Sequence, residues 1–204
     1  MTFHPVAVWL TLPVCAYALG SIPWGLILTR NFTDVDIRSA GSGNIGATNV
    51  RRTAGNVLGL LTLALDVLKG WLPTFLALLL AGRAGAVNDF CVSVTALAAF
   101  LGHLFPLYMK GRSGGKGVAT AAGCILAVSP AALGLSLVGF LLGAALSRRV
   151  SVGSLIGAAL LPAGLWIFTA STVFSVLGVL MASGILIRHA ENIRRLLSGK
   201  EPRI

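Results

Sequence analysis

Long apolar stretches that contain no charged side chain run through most of the sequence, as at 118–146 and 150–187. A helix needs roughly 20 apolar residues to cross the hydrocarbon core of a bilayer. Only 11% of the residues are charged, against about 25% in soluble domains. The stretches also lack the alternation of an outer-membrane barrel. The sequence therefore predicts an all-α polytopic integral membrane protein, with residues 1–204 forming a single transmembrane domain.

About seven stretches are candidates for transmembrane helices. They are 5–29, 55–81, 90–109, 117–130, 131–147, 152–169 and 171–187. The boundary between the fourth and the fifth depends on Ser129-Pro130, because proline ends helices and biases the preceding residue away from the helical region. The last boundary depends on Ala170-Ser171. If either boundary is wrong, the number of spans changes.

Basic residues set the expected orientation. Fourteen of the 16 lysines and arginines lie in four segments, at 30–53, 110–116, 148–149 and 188–203. The positive-inside rule places these segments in the cytoplasm, with the N-terminus outside and the C-terminus inside. An odd number of spans is then required, and seven agrees. Arg30 follows the first apolar stretch and does not precede it, so that stretch is not expected to be a cleaved signal peptide.

The first basic segment, at 38–52, is rich in glycine, hydroxyl, carboxamide and guanidinium groups. Such groups find no hydrogen-bond partners in lipid and must face water or a cavity. Exposed backbone N–H groups can form an anion-binding nest, and arginine matches phosphate oxygens. Gly41, Gly43 and Gly46 have a GxGxxG spacing, but no strand precedes them, which excludes a Rossmann site. The segment predicts binding of a phosphorylated molecule.

The other basic segments carry further polar residues. Gly115-Lys116 suggests a Walker A loop, but Lys110 stands where that motif has glycine and Gly117 where it has Ser or Thr, so no ATP site is predicted. Lys116 precedes a predicted helix, whose N-terminus favours an anion. His189 and Asn192 are three residues apart and share a helix face. One cytoplasmic anion site is therefore expected from all four segments.

Asp66 and Lys69 are ionisable residues inside the second predicted span, where such residues are functional candidates. Either a structural ion pair or a substrate contact would explain them. The six acidic residues are scattered, and Cys15, Cys91 and Cys124 have no zinc-like spacing. No metal site and no cofactor are therefore predicted.

Several motifs occur in a fixed order. They are Ser21-Ile22-Pro23, the 41–49 run, Asp66-x-x-Lys69-Gly70, Gly102-His-x-Phe-Pro106, the 114–120 run and Arg188-His-x-x-Asn-Ile-x-Arg-Leu196. This set resembles the bacterial acyl-phosphate:glycerol-3-phosphate acyltransferases, the PlsY family, over about residues 10–202. One departure is Arg112-Ser113, where the family usually has Phe-Lys before Gly-Gly-Lys-Gly.

The resemblance implies a seven-helix enzyme of the bacterial cytoplasmic (inner) membrane, with its active site on the cytoplasmic side. Such an enzyme transfers a fatty acyl group from acyl phosphate to the 1-hydroxyl of sn-glycerol 3-phosphate, giving lysophosphatidic acid and inorganic phosphate in phospholipid biosynthesis. It needs no cofactor or metal, and a donor phosphate oxygen takes the hydroxyl proton. An acyl-carrier-protein:phosphate acyltransferase would supply the donor.

The resemblance also implies site residues by motif position. The expected catalytic set is Ser42, Arg52, Lys116, Ser154, His189 and Asn192. The expected substrate-binding set is Gly43, Asn44, Thr48, Asn49, Lys116, His189 and Asn192. The division of these residues between the two phosphates stays open.

Other functions are weighed against this one. An organic-phosphate or anion transporter is the main alternative, but transporters usually have inverted repeats and polar groups near the midplane. A CDP-alcohol phosphotransferase needs a carboxylate-rich metal site. Nucleic-acid binding is not expected, because the basic residues are divided among four short segments.

Cysteine labelling tests the predicted orientation. Ser113→Cys is expected to react with an impermeant thiol reagent only from the cytoplasm, and Asn88→Cys only from outside, because of the asymmetry in basic residues. The measurement is labelling of intact and permeabilised cells, in a background without the three native cysteines. Labelling of position 113 from outside would contradict the orientation.

Overall fold

The computed structural model describes residues 6–82, 85–109 and 114–204, and these residues contain helices and no strand. The helices are α1 (Val6–Gly20), α2 (Trp24–Phe32), α3 (Ala47–Ala54), α4 (Asn56–Ala81), α5 (Ala86–Leu104), α6 (Val118–Val128), α7 (Pro130–Ser147), α8 (Val150–Thr169), α9 (Thr172–Arg188) and α10 (Ala190–Leu197). A short 3₁₀ turn spans Leu107–Met109. The predicted all-α class is confirmed.

The structure does not confirm the predicted count of seven spans. Within the described residues, five segments are long and apolar enough to cross a membrane: the α1–α2 pair, α4, α5, α7 and α8. A sixth is reached if α9 and α10, which meet at a bend of 58°, count as one span. The predicted span at 117–130 is helical only over the 11 residues of α6, about 16 Å at 1.5 Å per residue.

The two boundaries on which the predicted span count depends, Ser129-Pro130 and Ala170-Ser171, are real breaks between helices. α6 ends at Val128 and α7 begins at Pro130, with the Ser129 hydroxyl accepting the Ala132 N–H at 3.2 Å. Proline suits this first helical position because the N–H that it lacks would have no partner within the helix there. α8 and α9 are separated at Ala170–Ser171, where the Ser171 hydroxyl accepts the Phe174 N–H at 3.3 Å.

The first predicted span, at 5–29, corresponds to one candidate span, Val8–Phe32, but it is not one continuous helix. It divides into α1 and α2 at Ser21–Pro23, where proline interrupts the helical hydrogen-bond ladder. The Lys69 ammonium donates to the Ile22 carbonyl at 2.9 Å and pairs with Asp66 at 2.8 Å. The break therefore leaves a carbonyl that a buried lysine satisfies inside the bundle.

Glycines allow three pairs of helices to touch backbone to backbone. A methyl group on Gly70 would overlap the Thr120 backbone, and one on Gly123 would overlap the Val67 backbone, so α4 and α6 pack closely. The same relation joins α1 to α5 and α7 to α8. The glycines concerned are Gly20, Gly102, Gly143 and Gly153. Small residues at membrane helix interfaces permit this approach.

Gly70→Ala is expected to lower thermal stability, because the added methyl group meets the Thr120 backbone and cannot be relieved by a side-chain rotation. Overpacking of this kind costs about 1–3 kcal/mol. Gly134→Ala is the matched control, since a methyl group there meets open space on α7, and helix propensity favours alanine by roughly 0.8–1 kcal/mol. The measurement is the melting temperature of each variant in one detergent. Equal melting temperatures would contradict the packing.

Candidate active site

A cavity of about 720 Å³ opens at one end of the bundle. It lies where the loop before α3, the start of α6, the first turns of α8 and the junction of α9 and α10 meet. The cavity is lined by nine of the ten predicted site residues: Ser42, Asn44, Thr48, Asn49, Arg52, Lys116, Ser154, His189 and Asn192. Gly43 is exposed and does not line it. Four distant segments of sequence thus share one cavity.

The loop before α3 is organised by the buried side chain of Asn49. Its amide nitrogen donates to three backbone carbonyls at 2.9–3.3 Å, and its oxygen accepts the Ser42 N–H at 2.9 Å. A methyl group on Gly41, at φ 59°, would meet the Asn49 amide. Asn44 similarly accepts the Gly46 N–H at 2.9 Å. The carboxamide of Asn49 therefore holds the loop in shape and has little capacity left for a ligand.

Two arginines on α3 face the cavity from the rim. Arg51 and Arg52 are exposed and line it. In the part of the chain that the structure describes, no carboxylate lies within ion-pair distance of either guanidinium. Their charges are therefore available to an anionic ligand.

Lys116 lines the same cavity from the loop just before α6. Gly117 adopts φ 84° and starts the helix, so the lysine lies beside a helix N-terminus that favours anions. Its ammonium donates to the Asn192 side-chain oxygen at 2.5 Å. Burial lowers the pKa of Lys116 to about 8. The departure from the family pattern at Arg112-Ser113, and Lys110, lie outside the described residues.

The junction of α9 and α10 adds a carboxylate to the site. The Asn192 amide nitrogen donates to Glu201 Oε1 at 2.7 Å, and Arg195 Nε donates to Glu201 Oε2 at 2.8 Å. Glu201 is buried and lines the cavity. Glu201 is not among the predicted site residues, although it is an acidic side chain in the mostly basic C-terminal segment. A continuous chain of hydrogen bonds thus runs from Lys116 through Asn192 and Glu201 to Arg195.

His189 ends α9 and is buried against the cavity. Its Nδ1 lies 2.8 Å from the Ile185 carbonyl oxygen. Burial lowers the pKa of His189 to about 4, so the ring is neutral at pH 7. A carbonyl only accepts, so Nδ1 carries the proton and Nε2 keeps a lone pair. Nε2 can therefore accept a hydrogen bond from a ligand hydroxyl.

The cavity continues from the polar groups into a mostly apolar arm along α7 and α8, which α4 and α6 also line. Ser154, on α8, is buried at the start of this arm and donates to the Val150 carbonyl at 3.1 Å. Beyond it the lining is mostly apolar, with the buried hydroxyl of Ser136 as its polar group; the apolar residues are Leu133, Leu137, Phe140, Ala158 and Leu161. Leu161 lies two helical turns past Ser154, about 10 Å along the helix axis. One cavity therefore has a cationic mouth and an apolar interior.

Asp66 and His103 also line the cavity, behind the polar groups. Asp66 and Lys69 form an ion pair at 2.8 Å, and Asp66 also lines the cavity, so a substrate contact stays open beside the ion pair. His103 Nδ1 is 3.6 Å from Asp66, too far for a hydrogen bond. Among the described residues, no group of three His, Cys, Asp or Glu side chains could hold a metal ion.

These features define a helical membrane protein with a cationic cavity at one end of its bundle. Residues 10–199 match the model of the glycerol-3-phosphate acyltransferase family. The chain belongs to this family, as its motifs predicted, and is an integral membrane glycerol-3-phosphate acyltransferase.

Relatives and solved structures cover nearly the whole chain. The glycerol-3-phosphate acyltransferases of Anaeromyxobacter dehalogenans and Geobacter sulfurreducens are each 43% identical over 194 residues, 95% of this chain and 96% of theirs. A crystal structure of PlsY (YgiH) in its glycerol 3-phosphate form has a TM-score of 0.90 at 37% identity, covering 97% of this chain and 96% of that one. The lysophosphatidic acid form has a TM-score of 0.88 at 36% identity, with coverage of 97% and 95%. A transporter is not supported.

Lys116 is expected to lose its positive charge as the pH rises through about 8 in the ligand-free protein, because burial lowers its pKa from 10.5. The measurement is the pH dependence of reductive methylation at Lys116, followed by peptide mass spectrometry. The same peptide in the denatured chain provides the reference, which should titrate near the ordinary value. A midpoint near 10.5 in the folded protein would contradict this prediction.

Proposed function

We propose that this protein transfers a fatty acyl group from acyl phosphate to the 1-hydroxyl of glycerol 3-phosphate. The observation that supports the proposal is a single cavity lined by cationic residues of two chain segments, α3 and the loop before α6, and by a mostly apolar arm. Both substrates carry phosphate, and one carries an acyl chain. Clustered Arg and Lys offset the repulsion between two phosphate groups.

The two cationic segments suit the phosphate groups of the two substrates. Lys116, His189 and Asn192 are assigned to glycerol 3-phosphate, because the lysine supplies charge and the histidine an acceptor for a hydroxyl. The acyl phosphate is assigned to the other segment, the loop before α3 and α3 itself, with Ser42, Asn44, Thr48 and Arg52. Gly43 and Asn49 are assigned to the shape of that loop. Ser154 lies where the polar and apolar parts meet, beside the expected acyl carbonyl.

In the proposed reaction, the 1-hydroxyl oxygen attacks the acyl carbonyl carbon. The bond between that carbon and the bridging phosphate oxygen breaks, and inorganic phosphate leaves with the electron pair. A phosphate oxygen of the donor takes the hydroxyl proton, so the products are lysophosphatidic acid and phosphate. The mixed anhydride already has a good leaving group. Positioning of the two substrates therefore supplies much of the rate, and no metal is required.

The fatty acyl chain is assigned to the mostly apolar arm along α7 and α8, with Leu161 at its end. Burial of methylene groups there would stabilise the bound donor by about 0.8 kcal/mol each. The site is assigned to the cytoplasmic side of a bacterial inner membrane, where the four basic segments are expected. An acyl-carrier-protein:phosphate acyltransferase would provide the donor.

The test is a donor comparison with purified protein in detergent. Acyl phosphate with glycerol 3-phosphate is expected to give lysophosphatidic acid and phosphate in equal amounts. Acyl-CoA and the acylated form of acyl carrier protein are expected to give no lysophosphatidic acid. Activity is expected to persist in EDTA. Turnover with acyl-CoA alone, or a loss in EDTA that a divalent ion restores, would overturn the donor or the metal-free mechanism. Uptake of glycerol 3-phosphate by proteoliposomes without acyl transfer would favour a transporter.

Lys116→Ala is expected to cripple acyl transfer, because one cationic phosphate contact is lost. Single electrostatic contacts of this kind contribute roughly 2–4 kcal/mol to transition-state stabilisation, a fall in kcat/KM of about 30- to 1,000-fold. Arg194→Ala is the control, because Arg194 is exposed on α10 and does not line the cavity. The measurement is lysophosphatidic acid formation at matched levels of folded protein. Equal kcat/KM values for the two variants would refute the assignment.

A further inference from the structure

The loop that carries Lys116 is held on both of its sides by backbone hydrogen bonds. On one side, the Gly114 N–H donates to the Leu104 carbonyl at 3.0 Å, and the Gly115 N–H donates to the His103 carbonyl at 3.2 Å. These two carbonyls belong to the last turn of α5, whose final carbonyls lack helical partners. One side of the loop is therefore fixed to α5.

Arg188 holds the other side. Its Nη2 donates to the Gly114 carbonyl at 2.6 Å, and its Nε donates to the Gly115 carbonyl at 3.1 Å. The guanidinium fork thus grips two consecutive carbonyls, and charged donors make stronger hydrogen bonds than neutral ones. Arg188 does not line the cavity, so this grip is applied from behind the loop.

The grip determines the direction of the next peptide group. In a trans peptide, the carbonyl and the following N–H point in opposite directions. The Gly115 N–H, which follows the gripped Gly114 carbonyl, does point away from Arg188, toward His103. The same relation directs the Lys116 N–H away from Arg188.

Arg188 also joins the two parts of the proposed glycerol 3-phosphate site, the Lys116 loop and the junction of α9 and α10. It is the last residue of α9, and His189 follows it directly. Arg188 ties α9 to the Lys116 loop behind the cavity, and the hydrogen bond from Lys116 to Asn192 ties the same elements together inside it. The loop and the junction of α9 and α10 are thus linked at two points.

We propose that Arg188 is a positioning residue for acyl transfer, which acts on glycerol 3-phosphate only through Lys116. The proposal rests on the assignment of Lys116 to that substrate. A lysine at 188 would keep the positive charge, but its single ammonium lacks the planar fork that reaches two carbonyls. Charge alone therefore does not replace Arg188.

The test is a double-mutant cycle on the full-length protein in detergent, with wild type, Arg188→Ala, Lys116→Ala and the double variant. We expect Arg188→Ala to lower kcat/KM for glycerol 3-phosphate by about 10- to 100-fold, the scale of a small misplacement of a binding group. The loss should fall mainly on KM for glycerol 3-phosphate, and Arg188→Lys should recover little of it. In the Lys116→Ala background, Arg188→Ala should change kcat/KM less than about threefold, because coupled residues are non-additive.

Several outcomes would overturn the proposal. Losses that multiply in the double variant would make Arg188 independent of Lys116. Full recovery by Arg188→Lys would reduce its role to charge. If Lys116→Ala retains wild-type activity, the assignment of the phosphate lysine has failed; if only Arg188→Ala does, this inference alone has failed. Arg194→Ala is the surface control and should match wild type.

A binding measurement covers a variant that is too slow to assay or that folds poorly. Glycerol 3-phosphate is expected to raise the melting temperature of the wild type, and to raise that of Arg188→Lys by less. In the absence of ligand, the two proteins should have equal melting temperatures. A ligand-free melting temperature that falls while the shift by glycerol 3-phosphate is retained would show a purely structural role.

Discussion

A bilayer offers no hydrogen-bond partner to the peptide backbone, and this constraint shapes the whole protein. Each interruption of a helix needs a partner from within the bundle. Where the first apolar segment breaks, Lys69 on α4 donates to the Ile22 carbonyl and is itself paired with Asp66. Where α6 and α7 meet, Ser129 caps the next helix. The buried ion pair thus stabilises the irregular first span, and its carboxylate, Asp66, lines the cavity.

The site is held together by polar side chains from segments that are far apart in sequence. Asn49 shapes one loop from within, Arg188 fixes a second from behind, and Asn192 connects Lys116 to Glu201. A carboxylate beside a phosphate site would normally repel the ligand. Here Glu201 is paired with Arg195, so its charge is offset while its oxygen orients the Asn192 amide.

Local chemistry made much of the fold predictable. Pro130 and the Ala170-Ser171 pair indicated real helix breaks, and nine of the ten predicted site residues line the cavity. The functions of Asn49, Arg188 and Glu201 were not predictable, because each depends on a hydrogen-bond partner that only the folded bundle brings near. The break within the span expected at 5–29 was not predictable for the same reason. The carbonyl at this break, that of Ile22, accepts a hydrogen bond from Lys69, which lies 47 residues later in the sequence.

The short α6 brings a charged loop close to the middle of the fold. α6 has 11 residues and ends at the turn at Ser129, where α7, with 18 residues, begins. At 1.5 Å per residue, α6 is roughly 10 Å shorter than α7. Lys116 precedes α6 and lines the cationic mouth of the cavity, whose low-dielectric walls focus the field of the basic residues outward. An anionic solute would be drawn to this mouth before any contact forms, and its rate of capture would fall as ionic strength rises.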